Sequence, residues 1–283
     1  MRLKYGSSLF FVLFLTLVGV EAGEHPLFEI PNTRVIPIQD TEAGKQYELY
    51  IKLPENYKET TTYPVIYFTD AVWHIELLSA STAFLFSDVI LVGISWQKDV
   101  EEELKDSGDY VSRFRDYSIK PSSNPEVQAK YKRGQAANHL RFIHNDVFPY
   151  VAKHFRTDPE RRTYFGYSMG GLFGSYVLLA RPETFKNYII GSPVVKDDIF
   201  DFESPALKSE KVLSANVFIS VGEKEKPRKE QIEAFISKLK SKNYKGFSLK
   251  YLVVDDADHT SGFPETGLRS VEWLSKLEKG SKE

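Results

Sequence analysis

The sequence predicts an α/β fold, with a mostly parallel central sheet and helices on both faces. Three observations carry the prediction. From residue 64 onward, short apolar β-rich runs alternate with helix-length segments, the order that builds a parallel sheet. One run, "RTYFGY", passes directly into "SMGGLFGSYVLLA", so a strand enters a Gly-rich turn and an apolar helix leaves it. A polar loop holding His259 then follows the last apolar run, as expected if chemistry sits at the carboxyl ends of the strands.

The elements follow in order. "TRVIPI" (33–38) and "QYELYIKLP" (46–54) alternate in hydropathy and read as a pair of early strands. "PVIYFTD" (64–70) is a buried-strand run with proline at its entry. A helix is expected near 74–86, and "DVILVGISW" (88–96) is the next buried strand. Residues 97–133 are charged and aromatic without a period. A segment that long is expected to lie over something functional. In 134–155, apolar residues at 136, 140, 143, 147, 151 and 155 give a helix that Pro149 should kink. Strand "RTYFGY", a helix stopped by Pro182, strands "NYIIGS" and "NVFISVG", a helix over 227–241, strand "FSLKYLVVD" and a helix over 264–278 complete the chain.

The amino terminus reads as an export signal. Arg2 and Lys4 precede the short apolar run "LFFVLFLTLVGV", and Val20 and Ala22 supply the small residues of a cleavage site. The run is short for a membrane span. Cleavage after Ala22 would start the mature chain at Gly23 and place it in the periplasm or outside the cell, with no membrane attachment left. Residues 1–22 are therefore taken as leader, 23–33 as lead-in and 34–283 as one catalytic domain. With no cysteine, an exported chain must be held by its core alone, and thiol chemistry is excluded. The formal net charge of -2 gives no basic surface for nucleic acid.

"GYSMG" (166–170) places Ser168 between glycines, as a sharp strand-to-helix turn requires if the hydroxyl is to stand above the sheet. Side chains at 166 and 170 would collide across such a turn. A serine nucleophile needs a base. His25 lies in the lead-in. His139, His144 and His154 share one helix, and the five-residue spacing of the first two does not put both rings on one face for a metal. His259, in "VVDDADHTSGFPETG", is the candidate base, because hydrolases of this type run serine, acid, histidine along the chain. Between them "NVFISVGEKEKP" offers Glu223 and Glu225 as the acid. Trp73, His74 and Tyr167, beside the end of the third strand and Ser168, are candidate substrate contacts. No metal or cofactor is needed for this chemistry.

Over residues 33–278 the sequence resembles the esterase D / enterochelin esterase family of α/β-hydrolases, and within it the siderophore trilactone esterases. The likeness rests on "YPVIYFTDA", "RFRDYS" (113–118), "FIHNDVFPYV", "GYSMGGLFG", "VGxxE" and "H-x-S-x-x-P" from His259 to Pro264. It implies Ser168 as nucleophile, His259 as base, Glu225 as acid, and the main-chain N–H groups of Met169 and Val72 as oxyanion donors. Where many members read Asp-Gly, this chain has Asp70-Ala71. Arg113 and Arg115 are candidates for substrate contact, with a structural salt bridge as the alternative. The function implied is hydrolysis of a small-molecule ester through an acyl-enzyme, with a ferric catecholate trilactone as substrate. A carbohydrate or feruloyl ester, acyl transfer to an alcohol, and a non-catalytic binding protein of the same fold are the alternatives.

Overall fold

The computed structural model describes residues 28–280; the leader, its cleavage site and the start of the lead-in lie outside them. Strands β1 (Thr33–Gln39) and β2 (Gln46–Lys52) form an antiparallel pair. Next come β3 (Tyr63–Phe68), helix α1 (Ala71–Leu85) and β4 (Ile90–Ile94). Three short helices occupy the long charged segment: α2 (Glu102–Lys105), α3 (Arg113–Asp116) and α4 (Pro125–Tyr131). Helices α5 (Ala136–Phe142) and α6 (Phe148–His154) lead to β5 (Thr157–Tyr167) and α7 (Met169–Ala180). The chain ends with β6 (Asn187–Gly191), α8 (Pro205–Glu210), β7 (Asn216–Gly222), α9 (Lys226–Ser241), β8 (Ser248–Val254) and α10 (Gly262–Gly280).

The eight strands among the described residues join one sheet in the order β1-β2-β4-β3-β5-β6-β7-β8. β2 pairs antiparallel with β4, and every pairing from β3 to β8 is parallel. This is the α/β-hydrolase architecture. The core lies on both faces of the sheet. Phe165, Ile189 and Phe218 pack with Ile75 and Leu78 of α1 and Val271 and Leu274 of α10. Tyr164, Tyr188 and Ile219 point the other way, into a cluster with Phe173 and Val177 of α7, Val151 of α6 and Ile232 of α9. That alternation is the strand period of two, with both faces covered.

Three expectations need correction. Helix α1 begins at Ala71, not near 74, which brings Val72 into its first turn. The helix over 134–155 is interrupted by a π-helical turn at Ile143–Val147, ahead of Pro149. A proline lacks the N–H for the helical ladder and crowds the carbonyl four residues back, and the wider turn absorbs both defects. Between β6 and β7, which were read as consecutive strands, lie a 3₁₀ turn at Asp197–Phe202 and α8. Both are too short to show a period, although Ser204 caps α8 by accepting the Leu207 N–H.

Candidate active site

Ser168 takes φ 59 and ψ -114 at the N-cap of α7, a conformation L-residues rarely hold. It is held from both sides. Its N–H donates to the Gly191 carbonyl at 2.9 Å, and its carbonyl accepts the Leu172 N–H at 2.9 Å. A Cβ on Gly166 would run into the Gly170 carbonyl, and one on Gly170 would stand 2.5 Å from Thr69 Oγ1. The Gly170 carbonyl cannot step aside, because it also accepts the Tyr164 hydroxyl at 2.7 Å. Gly166→Ala is therefore expected to destabilise the fold by roughly 1–3 kcal/mol, read as a lower urea midpoint at unchanged slope.

Four parallel strands end on the same rim and deliver the other side chains. His259, in the loop after β8, places Nε2 3.0 Å from Ser168 Oγ. Glu225, after β7, places Oε2 2.7 Å from His259 Nδ1. An ionised carboxylate only accepts, so Nδ1 carries the proton and Nε2 is left to accept from the serine hydroxyl. The Tyr167 hydroxyl donates to the His259 carbonyl at 2.8 Å and fixes the loop.

Glu225 is buried but well solvated by the protein. Ser192 Oγ, at the end of β6, lies 2.9 and 2.7 Å from its two oxygens. The Gly222 N–H donates to Oε1 at 3.0 Å. Arg228 Nε stands 3.1 Å from Oε2, and Arg228 Nη1 also donates to the Ser192 carbonyl at 3.0 Å. Burial alone would raise the carboxyl pKa. The hydrogen bonds from His259, Ser192 and Gly222 outweigh it and hold the group below its ordinary value, so it stays ionised at neutral pH. Glu223 is exposed and instead accepts the Asp256 N–H at 2.9 Å.

The two N–H groups named as donors begin helices. In α7 the first return bond comes from Leu172, so the Met169 N–H has no acceptor within its own helix. In α1 the first return bonds come from Trp73 and His74 to the Asp70 carbonyl, and the Val72 N–H precedes them. The left-handed residue of that turn is Asp70, with φ 56 and ψ 46, while Ala71 is already helical. Alanine in place of glycine at 71 therefore costs this turn nothing.

A cavity of ≈ 380 Å³ opens over Ser168 and His259, lined also by Trp73, His74, Arg113, Tyr167, Thr260 and Phe263. Trp73 is half exposed and packs edge-on against Trp96, 4.7 Å between centroids. His74 is buried and stacks on Phe263 at 4.9 Å. Burial lowers its pKa to about 4, so it backs the cavity as a neutral ring. Arg113 borders the cavity with its fork on Asp70.

Of the two readings left open for Arg115, the structure gives the salt bridge, and the residue does not line this cavity. Its guanidinium is buried against Asp116 at 2.8 Å and the Tyr47 hydroxyl at 3.3 Å. Of the histidines set aside, His139 sits buried among Tyr47, Tyr117, Phe142 and Phe173. Among the described residues no cluster of three His, Cys, Asp or Glu side chains could hold a metal ion. Ser192, Arg228 and Trp96 escaped sequence reasoning, and Asp70 entered it only through the Asp70-Ala71 pair. A local cue existed only for Ser192, in the "GSP" that ends the strand, and for Arg228, one turn after Glu225.

A family model described as "Putative esterase" matches residues 41–259. The ferri-bacillibactin esterase BesA of Bacillus subtilis (strain 168) is 28% identical over 186 residues, 61% of this chain and 62% of that protein. The siderophore triacetylfusarinine C esterase of Aspergillus fumigatus is 26% identical over 181 residues, 59% of this chain and 57% of that one. The match thus spans about three fifths of the length of these curated relatives. Among solved structures, a BES protein from Bacillus cereus superposes with TM-score 0.74 at 22% identity, over 89% of this chain and 98% of that one. The siderophore hydrolase EstB of Aspergillus nidulans gives TM-score 0.68 at 19% identity, over 88% and 97%. At such identities the structural likeness speaks for the fold.

Proposed function

The chain belongs to the Putative esterase family, and from that membership we propose that it is an exported serine carboxylic-ester hydrolase acting on a siderophore ester. The observation that carries the chemistry is the unbroken line Ser168 Oγ–His259–Glu225, at 3.0 and 2.7 Å. Ser168 Oγ attacks the ester carbonyl while His259 Nε2 takes its proton. The new imidazolium faces the ionised Glu225. The carbonyl oxygen, now negative, is stabilised by the Met169 and Val72 N–H groups at two helix amino termini. His259 returns the proton to the leaving alkoxide, and the ester C–O bond breaks. Water then enters, loses a proton to His259 and attacks the acyl carbon; the bond to Ser168 Oγ breaks, His259 returns the proton to Oγ, and the acid leaves. The substrate class is supported by the esters named for the two curated relatives. Export is supported by the leader and cleavage pattern in the sequence, and no helix of the described residues is long and apolar enough to cross a membrane.

A panel of short-chain nitrophenyl esters, siderophore trilactones and feruloyl or acetylated sugars tests both parts. Turnover of nitrophenyl esters, labelling by a fluorophosphonate and a higher kcat/KM for the siderophore esters are expected. No turnover and no labelling would remove the esterase reading. A preference for sugar esters would remove only the siderophore part.

A further inference from the structure

We infer that Arg113 is a positioning residue for the turn that carries the Val72 N–H, and not a cation offered to substrate. The inference rests on the esterase reading above and says how one wall of that site works.

Asp70 is the pivot. Its side chain is wholly buried, and a carboxylate there must be paired. Oδ1 accepts from Trp96 Nε1 at 2.6 Å and Arg113 Nε at 3.0 Å, and Oδ2 accepts from Arg113 Nη2 at 3.0 Å. Both arms of the planar fork are thus taken up by one planar partner, the geometry in which arginine binds a carboxylate most specifically. The main-chain N–H of Asp70 is directed at the Tyr117 hydroxyl, 3.4 Å away. Segments after β4 and around α3 therefore grip a single residue from outside the sheet.

That residue is the left-handed one immediately before α1, two positions ahead of Val72. It also stands against the serine turn, since a Cβ on Gly170 would lie 3.4 Å from Asp70 Oδ2. Holding Asp70 fixes where α1 starts and where its first N–H groups point. Oxyanion donors work only when already aimed at the developing charge. The fork on Asp70 supplies that aim.

The charge around the cavity agrees. Arg113 is the only lysine or arginine among the lining residues, and Asp70 neutralises it. The guanidinium is further covered by Trp73, 5.1 Å from the ring centroid. His74 is held neutral by burial. Lys98, outside this lining, pairs with Glu48 at 3.3 Å. An anionic substrate meets no unpaired cation in this lining.

The test compares kcat and KM on a neutral ester, para-nitrophenyl butyrate, and an anionic one, para-nitrophenyl hemisuccinate. Arg113→Met should lower kcat on both by the same factor, about 10–100-fold, somewhat less than removal of a donor outright, with KM within about twofold. Arg113→Lys should recover only part of the loss, because a point charge cannot bridge both oxygens. Inactivation by a neutral fluorophosphonate should slow in parallel with kcat. A KM that rises for hemisuccinate alone at unchanged kcat would overturn the inference, as would full recovery by lysine. If Arg113→Met does not fold, Trp96→Phe keeps the ion pair and removes one donor. It should lower kcat several-fold at unchanged KM, and an unchanged kcat would overturn the inference. Wild-type protein inert to both esters and to the probe would overturn the esterase reading and this inference together. An active wild type with an unaltered Arg113→Met overturns this inference alone.

Discussion

Ser168→Ala is expected to remove ester hydrolysis, with kcat falling by more than about a thousandfold, while the protein still unfolds at a closely similar temperature. The substitution deletes one hydroxyl. The left-handed backbone at 168 is held by the bonds to Gly191 and Leu172, and neither involves the side chain. Alanine meets the same steric objection to φ 59 as serine does, so the turn has no new reason to relax. Residual activity above that level would place the nucleophile elsewhere. Labelling by a fluorophosphonate should disappear with the activity.

Glu225→Gln is expected to lower kcat by several orders of magnitude, in line with the roughly 10⁴-fold loss when a triad aspartate becomes asparagine. The structure gives a specific cause. Oε1 takes donors from Gly222 and Ser192, and Oε2 faces His259 Nδ1 and Arg228. An amide offers an oxygen to one pair and an NH₂ to the other, so donors must face donors whichever way it turns. Glu223→Gln should cost less than about tenfold, as for an ordinary surface position. The Asp256 N–H that Glu223 accepts can be served equally by an amide oxygen. The reverse ranking would move the acid to Glu223, and two mild variants would leave a Ser168–His259 dyad.

The parts of the site visible in the sequence are those whose constraint is local. The glycines flanking Ser168 report a turn whose clash is between near neighbours, Gly166 and Gly170. Glu225 and His259 follow strands that announce themselves by hydropathy. The Ser192 hydroxyl and the grip of Trp96 and Arg113 on Asp70 join residues far apart in the chain. Nothing in their own neighbourhoods carries that information, because only the sheet order brings them together. The segment 97–133 was illegible for a different reason. Its helices of four to seven residues are shorter than the window in which a helical period can be distinguished from chance. Arg113 and Arg115, two residues apart and chemically alike, could not be separated by sequence. One faces Asp70 and the other Asp116 because that short helix turns them to different sides.

β8 is the outermost strand of the sheet, paired on one side only, and much of it is only half buried. The serine hangs from β5, in the middle of the sheet, and the histidine from that rim. Outer strands open locally at lower free energy than central ones. In the proposed mechanism proton transfer therefore depends on an outer strand, and heat or denaturant should silence the activity before the core melts. The end of this strand and its loop are tied to their neighbours by the Tyr167 hydroxyl on the His259 carbonyl, the Glu223 and Lys224 N–H groups on the Val254 and Ala257 carbonyls at 2.9 Å, the Asp256 N–H on Glu223, and the fit of Gly222 beneath the Ala257 carbonyl. Longevity in service is set at these ties, and cross-linking β7 to β8 should extend working life.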